Sequence, residues 1–320
     1  AARFLYGAPG AGLTGTAELR LALDPEPFEA WRGWRFGLAD EVFAPDLQSF
    51  EVPATDAQGR ATLTLDLPSA PDTTKPVKAE IAVLMAEPGG RASGTRLSVP
   101  VRARGTLLAI RPAFQGDSVD ANAEAAFDIA AVSPAGEAAA ATLRLRLVRE
   151  RPDWRVVLRD RVARYETVWR DEPVDSAEIQ VAPGRPARLA RSLPFGRYRI
   201  EVTEAGGLAI ASFRFRSGWA GAEAPEVPDR VDLAAERRGY QPGETARIRI
   251  TPPFAGRASV AVLTDRLVSL REVEVAEAGT EIEVPVEAAW GPGAHVAVTV
   301  FRAGQSQAAR PGRALGLAWI

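Results

Sequence analysis

The chain carries a single histidine, His295, and this residue type most often serves as the general base of a nucleophilic triad. A triad also needs a serine or cysteine nucleophile and an orienting acid within hydrogen-bond reach. Cysteine is absent, and no Gly-x-Ser-x-Gly elbow lies near the histidine. The surrounding stretch, Gly293-Ala294-His295-Val296-Ala297-Val298, alternates as a strand does. We therefore predict a surface or edge-strand histidine, no catalytic residue and no enzymatic activity.

Two carboxylate pairs lie close together in the sequence, Asp117 with Asp120 and Glu223 with Glu226. Such pairs can act as an acid and a base or bind calcium, provided that their oxygens converge in space. Neither pair lies in a ligand-rich loop. We interpret them as solvated side chains of a turn and a linker, and we predict neither a metal site nor a cofactor.

The stretch Gly10-x-Gly12-x-x-Gly15 has the spacing of a dinucleotide-binding fingerprint. That fingerprint needs a helix directly after it, because the helix N-terminus holds the pyrophosphate. Here the alternating stretch Glu18-Leu19-Arg20-Leu21-Ala22-Leu23 follows, which is typical of a strand. We interpret the glycines as a flexible loop that leads into this strand.

Arginines recur with a spacing of two at Arg144-x-Arg146, Arg149-x-Arg151 and Arg159-x-Arg161. This period predicts outward strand faces, whose charge discourages edge-to-edge aggregation. A phosphate- or polysaccharide-binding role is the alternative. The net charge of −2 and the pI near 5.8 argue against a nucleic acid partner, which needs a basic footprint.

The densest aromatic cluster contains Trp31 and Trp34, flanked by Phe28 and Phe36. Exposed together, the two tryptophans could stack on sugars; buried together, they would belong to a core. Their odd spacing cannot place both side chains on one face of a strand. We favour a core and domain–domain contact, and a sugar platform on an Ig-like adhesin or carbohydrate-binding module is the alternative.

These residues are distributed over a chain of alternating strands and turns. The turn at Gly239–Gly243 precedes the alternating residues Ala246–Ile250, and a second turn precedes Ala258–Leu263. A similar order of turns and strands begins at Gln115, roughly 120 residues earlier, which is a domain period. No window has the pattern of an amphipathic helix of ten or more residues.

We therefore predict an all-β chain of three consecutive antiparallel Ig-like or fibronectin-like β-sandwich domains. Within them we predict, among others, a strand over Ala61–Pro68 and a long hairpin over Trp154–Pro173. The predicted domains are residues 1–102, 103–218 and 230–320, and a proline-containing linker covers 219–229.

The sequence has no apolar run of about 18 residues and no basic amphipathic helix, so we expect no direct membrane insertion. The chain opens at Ala1 without a methionine and ends on the apolar run Gly316–Ile320. We interpret both ends as the boundaries of a fragment.

The order of several short motifs resembles consecutive macroglobulin domains of the bacterial alpha-2-macroglobulin family. Each motif is weak alone, but together they span nearly the whole chain in the family's order. They are Tyr6-Gly7-Ala8-Pro9, Asp56-x-x-Gly59-x-Ala61-x-Leu63-x-Leu65, Phe195-Gly196-Arg197-Tyr198-Arg199-Ile200-Glu201-Val202, Gly239-Tyr240-Gln241-Pro242-Gly243-Glu244-Thr245-Ala246 and Arg310-Pro311-x-Arg313-Ala314-Leu315-Gly316-Leu317.

This resemblance implies a many-domain, lipid-anchored periplasmic inhibitor of broad specificity. A protease cuts its bait region, and the resulting change traps the protease and exposes a thioester formed by a Cys and a Gln. It also implies, as partners, the target proteases, neighbouring domains of the parent chain and a peptidoglycan synthase of the penicillin-binding type. A chain without cysteine cannot hold the thioester. We expect a scaffold portion that ends just before the bait-bearing domain and has no reactive site.

Overall fold

The computed structural model of the protein describes residues 1–4, 7–67, 72–86, 90, 92–159, 162–219, 227–302 and 311–320. Antiparallel β-sheets dominate these residues, which contain no α-helix. Two single turns of 3-10 helix occur, at Glu29–Trp31 and Ala288–Trp290. The predicted all-β class is confirmed.

The first part of the chain forms a four-stranded antiparallel sheet with strand order β3-β1-β4-β5. Its strands are β1 (Thr14–Leu23), β3 (Leu47–Val52), β4 (Val77–Ala86) and β5 (Ser93–Val101). Alternate residues of the two central strands build a small buried cluster, which comprises Leu19, Leu21, Val77 and Ala79. Phe43 and Phe50 pack against it.

The predicted strand at Ala61–Pro68 is wrong. Residues 61–67 form no β-ladder, and Pro68 lies outside the described residues. Alternate residues of this segment, Ala61, Leu63 and Leu65, are nevertheless half-buried. A period of two reports that a segment buries one face, and it does not guarantee a hydrogen-bonded neighbour.

The second part of the chain is a sandwich of two larger sheets, ordered β11-β10-β13-β14-β7 and β12-β8-β6-β2. The strands are β2 (Arg35–Phe36), β6 (Leu107–Pro112), β7 (Ser118–Val119), β8 (Glu124–Val132), β9 (Ala138–Ala139), β10 (Ala141–Arg159), β11 (Val162–Val181), β12 (Ala187–Ser192), β13 (Gly196–Glu204) and β14 (Ile210–Ser217). Their inward side chains form one core, which includes Phe127, Leu147, Tyr198, Ile200 and Phe215.

The long hairpin predicted over Trp154–Pro173 is confirmed as part of the β10–β11 pair. A register shift lies between Leu147 and Val148. Strand β13 pairs with β10 only from Leu143 to Glu150. The hairpin therefore extends beyond the sheet that holds its base.

The third part of the chain is a sandwich of two sheets, ordered β15-β16-β19 and β18-β17-β20-β21. The strands are β15 (Asp232–Ala235), β16 (Thr245–Thr251), β17 (Gly256–Leu263), β18 (Leu267–Val275), β19 (Thr280–Pro285), β20 (His295–Phe301) and β21 (Arg313–Trp319). The core between the sheets contains alternate residues of the central strands, among them Ile248, Ile250, Val260, Val296 and Val298.

Candidate functional site: the joints between the sandwiches

The single histidine lies at the start of β20, where its ring meets the ring of Trp319 edge to face at a centroid distance of 4.7 Å. Within the described parts of the chain, no group of three or more His, Cys, Asp or Glu side chains is arranged to hold a metal ion. No helix in those parts is long and apolar enough to cross a membrane. The glycine-rich loop leads into β1 at Thr14, a strand, as expected.

Of the two carboxylate pairs, only Asp117 and Asp120 lie within the described residues. Asp117 binds the guanidinium of Arg216, with Nη2 at 3.0 and 3.1 Å from its two oxygens. Several other residues named from the sequence lie outside the described residues, namely Tyr6, Arg161, Glu223, Glu226 and Arg310.

The structure instead assembles charged and aromatic residues where one part of the chain meets the next. The first of these places is a segment from Phe28 to Asp40, which we call the strap. Its strand β2 belongs in sequence to the first predicted domain but pairs with β6 of the second. The predicted boundary at residues 102 and 103 stays a prediction, and packing crosses it here.

Aromatic residues fix the first half of the strap to the second sandwich. The Trp31 Nε1–H donates to the carbonyl oxygen of Gly136 at 2.8 Å. The rings of Trp31 and Trp34 meet edge to face at 5.0 Å, and Trp34 is only 6% exposed. Phe28 and Phe36 pack in the same cluster. The preferred interpretation, a core and domain–domain contact, is confirmed, and the exposed sugar platform is wrong.

Polar contacts fix the second half of the strap to the other sheet of the same sandwich. The Ser212 backbone N–H donates to the Gly37 carbonyl oxygen at 3.0 Å, and the Ala39 N–H donates to Ser212 Oγ at 2.9 Å. The Arg214 guanidinium donates hydrogen bonds to both carboxylate oxygens of Asp40, with Nη2 at 2.6 Å from Oδ2. The strap thus bridges the two sheets at the edge where β6 and β14 lie.

Arg214 also joins a buried ionic cluster centred on Glu150, a residue that is only 4% exposed. The Glu150 carboxylate accepts bonds from Arg197 Nε at 2.7 Å, Arg199 Nη1 at 2.5 Å and Arg214 Nε at 2.7 Å. Arg199 reaches on to Asp171 at 2.5 Å. A buried carboxylate stays charged only when cationic hydrogen-bond donors compensate for its lost hydration, and here three arginines do so.

Two opposing effects set the pKa of Glu150. Burial raises it, but hydrogen bonds and positive charge from Arg214 and Arg197 outweigh burial, so the pKa lies below its ordinary value. For Arg214, burial lowers the pKa, and the bonds to Glu150 and Asp40 outweigh it, so the pKa rises. Glu150 and Arg214 are therefore both charged at neutral pH.

A second joint connects the second and third sandwiches. The Arg249 guanidinium lies 3.8 Å from the centroid of the Phe195 ring, and Trp219 meets that ring edge to face at 5.5 Å. Arg151 Nη2 forms an ion pair with Glu277 at 3.0 Å. Arg149 Nη2 donates to the Phe195 carbonyl oxygen at 2.8 Å.

The Arg249 side chain is nearly enclosed in this joint. Burial lowers its pKa, Glu281 opposes that effect, and the nearby charge of Arg149 adds to it. A small cavity beside Arg249 is lined on one side by Trp169 and Arg197. The prediction that Arg149 and Arg151 lie on an outward strand face is wrong, because Arg149 lies opposite the buried Tyr198 in the ladder and both arginines make contacts at this joint.

The predicted linker, residues 219–229, starts and ends within described residues. Arg247 of β16 lies 5.6 Å from the ring centroid of Trp219, so the first linker residue already contacts the third sandwich. Pro228 is buried. The two ends of the linker are thus packed against the sandwiches.

Sequence reasoning missed Glu150, Arg249, Phe195, Arg214 and Asp40. One local signal was present, since Glu150 interrupts a run of arginines in a strand. Arg249 lies in an alternating stretch and Phe195 in a family motif, but neither pattern indicates a joint, and Asp40 and Arg214 carry no local pattern. Asp40 and Arg214, for example, are 174 residues apart in the sequence.

Three family models match consecutive parts of this chain. They are the bacterial alpha-2-macroglobulin MG5 domain over residues 1–102, the bacterial macroglobulin domain 6 over residues 109–219 and the alpha-2-macroglobulin bait region domain over residues 231–320. The chain is thus a row of macroglobulin-type domains.

Relatives with curated names agree. The chain is 29% identical over its whole length to Alpha-2-macroglobulin from Xylella fastidiosa strain 9a5c and 27% identical over 98% of its length to Alpha-2-macroglobulin from Escherichia coli strain K12. It spans 20% of the length of each relative.

Solved structures show the same likeness. Salmonella alpha-2-macroglobulin reacted with methylamine is 26% identical with a TM-score of 0.64, over 98% of this chain and 21% of that one. The native conformation of E. coli alpha-2-macroglobulin is 25% identical with a TM-score of 0.61, over 99% of this chain and 21% of that one. The chain belongs to the bacterial alpha-2-macroglobulin family.

One expectation is corrected by these matches. We expected the chain to end before the bait-bearing domain, but residues 231–320 match the model of the bait region domain. The described residues of this part form compact strands, so the sequence carried no local signal of a bait region.

Proposed function

We propose that this chain is a scaffold portion of a protease-trapping alpha-2-macroglobulin. Its role is mechanical: it holds successive sandwiches in defined relative positions and passes on the rearrangement that follows bait cleavage. The observation that carries the proposal is the pair of joints, in which charged and aromatic side chains of one part are enclosed by the next.

The chemistry of the chain supports this role. No cysteine is present, so the thioester of the family has to come from another part of the protein. The match of residues 231–320 supports placing the third sandwich in the bait-bearing part. Trp34 is buried, which removes the main support for an adhesin or carbohydrate-binding module.

The cellular setting is part of the same proposal. The family likeness supports a periplasmic protein held at the inner membrane by a lipid on the parent polypeptide, with target proteases as its main partners. Pairing with a peptidoglycan synthase of the penicillin-binding type would place it beside cell-wall synthesis. Co-purification of such a synthase with the parent polypeptide tests that partner.

A trapping assay tests the mechanical role. The parent polypeptide, in wild-type and Phe195→Ala forms, is mixed with an endopeptidase. A trapped protease still cleaves a small chromogenic substrate but no longer cleaves a large protein substrate. We expect Phe195→Ala to lower the trapped fraction while the bait is still cut, and Leu208→Ala, at a residue 98% exposed, to leave it unchanged. Undiminished trapping by a Phe195→Ala protein with a loosened joint would contradict the proposal.

A further inference from the structure

One end of the outer face of the sheet β18-β17-β20-β21 is apolar and exposed, and the other end carries the charged residues Arg257, Glu272 and Glu274. Alternate residues of β17 and β20, such as Val260 and Val298, point into the core. The opposite side chains on the edge strands are large and exposed, including Leu270 at 60% and Leu317 at 63%. Their companions on the two edge strands are Leu267, Leu315 and Trp319.

The strand register shows the shape of this face. Ala261 of β17 lies opposite Leu270 of β18 on one side, and opposite Ala297 of β20 on the other. Ala297 in turn lies opposite Leu317 of β21. Two small residues thus stand between two leucines, and in the next row Ser259 and Thr299 stand between Glu272 and Leu315. The face is a shallow depression with leucine walls, which we call the outer trough.

One end of the outer trough is held in place by Trp319. Its ring lies edge to face against His295, and a Cβ on Gly293 would come within 2.6 Å of the indole. Glycine is therefore required for this close approach. The buried His295 Nδ1 has no hydrogen-bond partner among the described residues. An exposed apolar wall beside a buried, unpaired ring nitrogen is unusual for a free surface.

We propose that the outer trough is a docking surface for another domain of the same polypeptide, which inserts a ridge of apolar side chains between the leucine walls. This inference rests on the proposed function. The chain spans only 20% of its relatives, so most of such a protein lies outside these residues. The rows at Ala261 and Leu263 carry no charged residue, as in permanent interfaces, whereas Glu272 beside Ser259 begins a charged rim at the other end.

A second copy of this chain fits the outer trough poorly. A two-fold interface places the same patch on both sides, so one depression would face another and the small residues on both floors would stay uncovered. A ridge from a different domain fills the floor over Ala261 and Ala297. The depression therefore favours a dissimilar, apolar partner.

Thiol labelling tests this surface, because the chain has no cysteine of its own. Leu317→Cys is prepared in this chain and in the parent polypeptide, and the labelling rate at residue 317 is followed by peptide mapping. We expect fast labelling in the isolated chain at any concentration and at least tenfold slower labelling in the parent. Leu208→Cys is the matched control and should label fast in both.

A second variant distinguishes docking from local misfolding. Ala297→Arg places a long charged side chain on the floor and should block docking of the partner domain. Labelling of Leu317→Cys in the parent should then become fast, while the melting temperature of the isolated chain stays unchanged. Equal labelling in parent and isolated chain would overturn the proposal. Protection that grows with the concentration of the isolated chain would assign the surface to a second copy and overturn it as well. The labelling rate does not depend on trapping, so it tests the outer trough even in a parent polypeptide that fails to trap proteases.

Discussion

The guanidinium of Arg249 lies 3.8 Å from the ring centroid of Phe195, so a strand of the third sandwich is stacked on a turn of the second. Arg249 also donates from Nη2 to the Ala278 carbonyl oxygen and pairs with Glu281 at 3.5 Å. Arg249 is thus held by residues of its own sandwich, while the flat face of its guanidinium stacks on the Phe195 ring of the second sandwich. An enclosed pair of this kind contributes about 2 kcal/mol when desolvated, enough to define one arrangement of the two sandwiches.

Removing the ring should loosen this joint without unfolding either sandwich. In Phe195→Ala, Arg249 and Trp219 lose their shared partner, and the two cores are untouched. Small-angle scattering should show a larger radius of gyration, while the melting transitions of the sandwiches stay in place. Phe301→Ala, an exposed residue at the end of β20, is the control and should change neither. Unchanged dimensions of Phe195→Ala would show that the ring does not hold the joint.

The strap should respond to a single methyl group at Gly136. This glycine has φ +87°, and a Cβ there would come within 2.5 Å of the Phe28 ring. Gly136→Ala should therefore cost the backbone strain of about 1–2 kcal/mol and a further ~1–3 kcal/mol of overpacking. Gly184 has φ +70° and open space around it, so Gly184→Ala should cost the strain alone. Chemical denaturation measures both, and equal losses would contradict the packing of Phe28 on Gly136.

Acid should weaken the protein through Glu150. Its folded pKa lies below the unfolded value of about 4.3, so its stabilisation is complete above that value and is lost as the pH falls through the folded pKa. Glu150→Gln should destabilise the second sandwich by about 3 kcal/mol or more at pH 7, because it unpairs a buried cluster. The difference from wild type should shrink towards zero below about pH 4.

Urea titrations at several pH values measure this difference. Glu172→Gln is a suitable control, since the Glu172 side chain that pairs with Arg151 is exposed and such pairs contribute about 0–1 kcal/mol. A Glu150→Gln deficit that stays constant down to about pH 3 would show that ionisation of Glu150 is not the cause.

The polar end of the strap should detach when Asp40 loses its charge. Asp40→Asn weakens the bidentate hydrogen bond that Arg214 makes to residue 40. The aromatic contacts of Trp31 in the first half of the strap stay in place. We expect faster hydrogen exchange at the amides of Ala39 and Ser212, which bond across the strap, and slow exchange in the aromatic half. Asp46→Asn, whose carboxylate bonds only within its own segment to Gln48, should leave both amides protected.

Much of the strand content could be predicted from the sequence because a period of two is a local property. Strands such as β16 and β17 alternate between turn residues, and the structure has them where the pattern indicated. Strands β15 and β21 were missed. The first is only four residues long, and the apolar pattern of the second suggested a cut end of the chain.

The joints could not be predicted from the same information. The Trp31 to Gly136 bond joins residues 105 positions apart, and no periodicity links them. Aromatic density identified Trp34 as core, but it could not tell which sandwich would provide that core. Charge patterns were less informative still, because Arg149 and Arg151 have the spacing of a solvated face and yet contact the joints.

The central claim is that the second and third sandwiches hold one defined orientation, and a distance between two spin labels tests it most directly. The cysteine-free chain accepts a pair at Leu208→Cys and Arg266→Cys, both exposed and one on each sandwich. We predict one narrow distance distribution for this pair, which broadens when Phe195→Ala and Arg249→Ala are added. A broad or multiple distribution in the otherwise unaltered chain would contradict the account of these residues as a scaffold with fixed joints.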